Sequence, residues 1–206
     1  MGTGLVAINQ GGDMLSKITQ NFFYNEFRPA GAPVTWMPIS DYQNILITML
    51  ANNLQIVRSS MPPGSTMTIS CGVRVLSDFN RLVSQGYHPS PTSDHFCGNA
   101  VPVDSISDKF KRYGPVYYFS VGAADIIPNG MDNDLLFRMA VQMTLRGVCR
   151  FGQIINEQDI KKGTKWVHFS NDYSSIFSSD MVKFLNKQPF LTTIDGGLTY
   201  TPYLPV

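Results

Sequence analysis

The stretch from Ser40 to Gly64 sets the first limit on the fold. Ile45, Leu46, Met49, Leu50, Leu54 and Val57 recur at the spacing of a helix face over about four turns. Asp41 lies at the start of the run and Arg58 at its end, the polarity that suits a helix dipole. Pro62-Pro63-Gly64 then stops the helix. Met67-Thr68-Ile69-Ser70-Cys71 follows at once, alternating and rich in β-formers, and predicts a strand. A core helix feeding a strand confines the chain to a mixed class.

The rest of the chain fills in that class. The aromatic cluster Asn21 to Phe27 reads as a core-packing segment, and three prolines make residues 28–40 an irregular connection. Residues 77–84 hold one or two helical turns with Phe79, Leu82 and Val83 inward. Val116 to Val121 is a strand pattern that runs on into Gly122-Ala123-Ala124-Asp125-Ile126, and with the broken run before it suggests a long hairpin. Asp132 or Asn133 caps a second main helix, with Leu135, Leu136, Met139, Met143 and Leu145 on its buried side and Gly147 beyond its end. Cys149 to Glu157 and Trp166 to Ser170 read as strands on either side of a turn. The expected fold is α+β: a small, mostly antiparallel sheet with two main helices packed on it. Residues 1–14 form an N-terminal arm, 15–175 the domain with an inserted hairpin at about 99–121, and 176–206 a C-terminal extension. The arms are candidates for joining chains into an oligomer.

Composition narrows the function. The 206 residues suit one domain, and a charged fraction of only 15% fits a surface partly covered by partners. A net charge of +1 gives no electrostatic case for nucleic acid or an anionic membrane. Cys71, Cys97 and Cys149 form neither a disulfide framework nor a CxxC pair. No apolar run reaches transmembrane length, and Met1 to Gly12 lacks the features of a signal peptide. Synthesis in a reducing cytoplasm, without a signal of its own, is expected.

Three segments carry the chemistry. Ser90-Pro91-Thr92-Ser93-Asp94-His95 is a turn-rich loop ending in an imidazole. Asp125 sits in an apolar strand, where a carboxylate is costly unless paired or bound to metal. His168 lies in a strand and shares its face with Trp166 and Ser170. Two imidazoles and a carboxylate are what a catalytic zinc ion takes, with one position left for water. Separate, hydrogen-bonded polar residues remain the alternative, because no HExxH or CxxC spacing fixes a geometry. His88 reads as a surface histidine, and Cys97 as an idle or buried thiol before a ligand.

Across residues 15 to 172 the chain resembles the zinc D-alanyl-D-alanine peptidases, above all their short phage and bacterial subgroup. The similarity is carried, in order, by Asn21 to Phe27, Cys71-Gly72-Val73-Arg74, Ser90 to His95, Gly122 to Ile126, Pro128 to Phe137, Phe151 to Glu157 and Trp166 to Ser170. It implies a D,D-peptidase/hedgehog-like fold, with His95, Asp125 and His168 as zinc ligands and Arg74 facing a substrate carboxylate. It implies peptidoglycan peptides as substrates. Two departures stand out. The family's His and Asp motifs are close in sequence, whereas here residues 99–121 intervene, and the carboxylate is Asp125 or Asp104. Asp125 is preferred because the following motif continues from it. Lys165 stands where many relatives carry the general base, leaving Glu157 as the candidate. The expected function is therefore a phage-type zinc peptidase-like domain, carried in the virion. The alternative is a catalytically inactive descendant serving as a structural or docking component of a phage particle, such as a ring, neck or tail protein, with other virion proteins as partners. A third reading is a wall-binding module that does not cut.

Overall fold

Helix α1, Asp41–Ser59, forms where the apolar spacing predicts it. The Ser40 side chain accepts from the Gln43 amide and caps its first turn. The chain is described by a computed structural model over residues 16–99 and 120–205. The buried face of α1 is Leu46, Ile47, Leu50, Ala51, Leu54 and Val57. Each large side chain there contributes about 1.5–3 kcal/mol by leaving water. Ile45, expected on this face, is 56% exposed. Gln43 is buried in its place, and its amide nitrogen donates to the Cys97 carbonyl at 3.0 Å. One helix face thus reaches towards the loop that carries His95.

Three further α-helices are described: α2 (Leu76–Ser84), α3 (Asn133–Leu145) and α4 (Ser179–Leu185). In α3 the Asp132 side chain accepts from the Asp134 amide, so the predicted cap is in place. The buried stripe is Leu136, Phe137, Ala140 and Val141. Leu135 and Leu145, expected inward, are 50% and 54% exposed. Met139 and Met143 pack at the margin of the core. In α2, Phe79 is inward as expected, whereas Val83 is 50% exposed.

Six strands make one sheet: β1 (Thr66–Cys71), β2 (Ala123–Asn129), β3 (Phe151–Asp159), β4 (Thr164–Asn171), β5 (Phe190–Thr193) and β6 (Thr201–Pro202). Their order is β1-β2-β4-β3-β5-β6. All neighbours are antiparallel except β3 and β5, which run parallel. Ala124, Ile126, Ile154, Val167 and Phe169 turn to one face and join the core built with α1 and α3. Asp125, Ile155, Glu157 and His168 therefore turn to the other face. A smaller apolar cluster of Phe79, Phe96, Val121, Tyr173 and Leu185 supports the His95 loop from beneath.

The segment 176–206, read from sequence as an extension, supplies α4, β5 and β6 and lengthens the sheet. The Tyr203 ring meets Phe137 edge-on at 4.9 Å, which fastens it to the core. The N-terminal arm at 1–14 and residues 100–119 of the expected hairpin, Asp104 included, lie outside the described residues. No helix among the described residues is long and apolar enough to cross a membrane.

Candidate metal centre

Strand register brings two of the three sequence-selected ligands together. Asp125 on β2 is the direct cross-strand partner of His168 on β4. The Asp125 Oδ1 atom lies 3.0 Å from His168 Nδ1. His95 comes from a single 3-10 turn, Asp94–Phe96, capped by Ser93. Its Nε2 lies 3.1 Å from Asp125 Oδ1 and 3.1 Å from His168 Nδ1. Three donor atoms from three elements thus form a nearly equilateral triangle. All three residues are buried.

The proton count at this triangle shows what it suits. His95 Nδ1 is 2.7 Å from the Gly72 carbonyl, which can only accept, so that nitrogen carries the hydrogen. In neutral His95 the Nε2 atom is then a lone pair. It faces a carboxylate oxygen and the Nδ1 of a second imidazole. With both rings neutral, at most one proton serves three mutually facing acceptor atoms. A cation at the centre satisfies all three, and their residues also appear in two groups able to hold a metal ion: the partly exposed Cys71 with buried His95 and Asp125, and buried Asp125, Glu157 and His168.

Electrostatics reports the same shortage of positive charge. Burial works against charge on His95, yet the Asp125 carboxylate, with Cys71, raises its pKa well above the usual histidine value. Burial opposes the charge on Asp125 as well, but His95 and His168 hold its carboxyl below the usual range. Burial and the charge of His95 push His168 down.

Glu157 is placed by alternation. It sits two residues beyond Ile155, the cross-strand partner of His168, and pairs with Trp166. It is 9% exposed. Burial, then the charge of Asp125, raises its pKa to about 8, against the opposing charges of His95 and Arg74. It is the second carboxylate of the site, grouped with Asp125 and His168. Lys165 does not take that role: its ammonium pairs with Asp132 at 3.1 Å, at the N-terminus of α3. Three residues before His168 on an alternating strand, it has the opposite facing.

An open groove of about 1250 Å³ runs over the site. Arg74, Glu157, Trp166 and Tyr200 are among its walls. Arg74 Nη1 donates to Ser93 Oγ at 3.1 Å, and its Nη2 lies 3.7 Å from Cys71 Sγ. Among the described residues no carboxylate forms an ion pair with Arg74, whose charge acts on Glu157. His88 lines the groove and is exposed. Cys97 is buried in the main core and is not among the metal-capable groups; the nearby thiol is Cys71, 3.7 Å from His95 Nδ1.

Several contributors were not singled out by sequence. Gly72 gives the carbonyl that orients His95, within a motif noted only for Arg74. Tyr200 belongs to the segment read as an extension. The turn Asp195–Tyr200 is built by Asp195, whose Oδ1 accepts from the Leu198 and Thr199 amides, each at 3.0 Å. A Cβ on Gly197 would lie 2.7 Å from the Tyr200 hydroxyl and 3.7 Å from Glu157 Oε2. The phenol and the carboxylate therefore stand within 6.4 Å of each other.

Compared with family models, with curated proteins and with solved structures, the chain has no match.

Proposed function

We propose that this chain is a zinc-dependent peptidase acting on peptidoglycan peptides, with the D,D-peptidase/hedgehog-like fold its motifs suggest. The observation that carries the reading is the triangle of His95 Nε2, His168 Nδ1 and Asp125 Oδ1, with edges of 3.0–3.1 Å. Ligand atoms about 2.0–2.1 Å from a tetrahedral zinc are about 3.3 Å apart, a small expansion of this triangle. Two imidazoles and a carboxylate form a donor set that zinc accepts, with room for a water.

Zinc, when bound, supplies Lewis acidity and lowers the pKa of its water towards ~7. The residues of this chain do the rest. Gly72 fixes the His95 tautomer. Glu157 takes a proton from the attacking water and returns it to the leaving amine. Arg74 pairs with a carboxylate of the peptide through its two parallel N–H donors. The alternative of an inactive phage structural component drew on the inserted hairpin, Lys165, the low charge and the terminal arms. The position of Glu157 in one group with Asp125 and His168 supports the peptidase.

The test is incubation of zinc-loaded protein with purified peptidoglycan and stem peptides, followed by mass spectrometry. New free amines, lost with a chelator and reduced about 100-fold or more in Glu157→Gln, support the reading. A zinc-loaded protein that cleaves neither substrate contradicts it and favours the particle component.

A further inference from the structure

We infer that the segment after α4 completes the ligand site, with Lys187 positioning His95 through Asp94. This rests on reading His95 as a ligand. The turn that holds His95 is only three residues long and cannot set its own orientation. On one side it is tied to the end of β1: His95 Nδ1 donates to the Gly72 carbonyl, and the Arg74 amide donates to the His95 carbonyl, both at 2.7 Å.

On the other side it is tied through Asp94. The Asp94 side chain is 1% exposed, and Lys187 Nζ reaches its Oδ1 at 2.8 Å. The Tyr173 hydroxyl donates to Oδ2. Lys187 Nζ also donates to the Thr92 carbonyl at 3.2 Å and lies 5.4 Å from the centre of the Tyr173 ring. The Asp94 carbonyl in turn accepts from the Cys97 and Gly122 amides at 3.2 and 3.1 Å. A buried carboxylate is tolerated only where its donors are. The turn is thereby held in the conformation that aims His95 at Asp125. Lys187 follows Asn186, the left-handed cap of α4, so the short helix delivers it. The three proposed ligands all precede residue 169, yet one of them is aimed by residue 187.

The experiment uses the full chain with Lys187→Met, Lys187→Arg and the double variant Asp94→Asn/Lys187→Met, which leaves no lone buried charge. Two quantities are read: zinc affinity by competition with a chromogenic chelator, and amide hydrogen exchange in the zinc-free protein. For Lys187→Met, exchange across residues 90–97 rises about tenfold or more, while that of β3 and β4 stays unchanged. Zinc affinity falls about 10- to 100-fold in Lys187→Met and in the double variant, and Lys187→Arg restores most of it. A double variant that folds and binds zinc like the wild type overturns the inference. So does an exchange increase spread evenly over the sheet. If wild-type protein binds no zinc but 90–97 still loosens selectively, the clamp stands and the zinc reading fails.

Discussion

Replacing Gly72 by alanine strikes the site through the backbone alone. A Cβ there would lie 2.5 Å from the Phe27 carbonyl oxygen, 2.6 Å from its Cα and 2.7 Å from its carbonyl carbon. All three are main-chain atoms, so no side-chain rotation relieves the clash. Ordinary contact begins near 3.4 Å, so the segments must part by nearly 1 Å. Overpacking of this kind costs about 1–3 kcal/mol. The Val73 amide to Phe27 carbonyl bond, 2.7 Å long, is strained as well and adds about 1 kcal/mol. A total near 2–4 kcal/mol is expected, read as a lower urea midpoint for the zinc-free protein at unchanged m-value. The Gly72 carbonyl also fixes His95, so zinc affinity falls about 10- to 100-fold in a chelator competition. A variant with both properties within error of wild type would refute the close approach and the orienting role together.

Other expectations follow from the same geometry. Glu157 has a folded pKa of about 8, above its unfolded value, so the folded state holds the extra proton between the two. Its contribution to zinc-free stability is most favourable below about pH 4.5 and declines as pH rises towards 8, by on the order of a few kcal/mol. Wild type should lose stability relative to Glu157→Gln across that range in urea titrations, and parallel curves would contradict the burial assigned to Glu157. Burial raises the thiol pKa of Cys97 and Cys149, whereas Cys71 is partly exposed at the groove. A thiol reagent should modify one cysteine quickly in the native protein, and peptide mapping should place it at Cys71; fast modification of Cys97 would contradict the core.

The candidate residues His95, Asp125 and His168 were legible because imidazoles and an apolar-strand carboxylate are conspicuous, each in its own short motif. Alternation put His168 on one face with Trp166 and Ser170, whereas only the β3–β4 register brings Glu157 to that face. The same rule, applied to Lys165, sets it on the opposite face from His168. Other features depended on tertiary context. Leu135 and Leu145 fit a helical repeat, yet the buried stripe of α3 runs through Leu136, Phe137, Ala140 and Val141, because the sheet meets it there. Strand β5 has four residues and pairs in parallel with β3, a non-local contact that no local pattern announces. Lys187 is isolated among polar residues, and only the folded chain brings it to Asp94, 93 positions away.

Metal analysis of the purified protein tests the ligand triangle outright. After zinc loading and removal of free metal, about one zinc per chain is expected, with none retained by His95→Ala or His168→Ala. Wild-type protein holding no more zinc than those variants would contradict the metal site and the peptidase built on it.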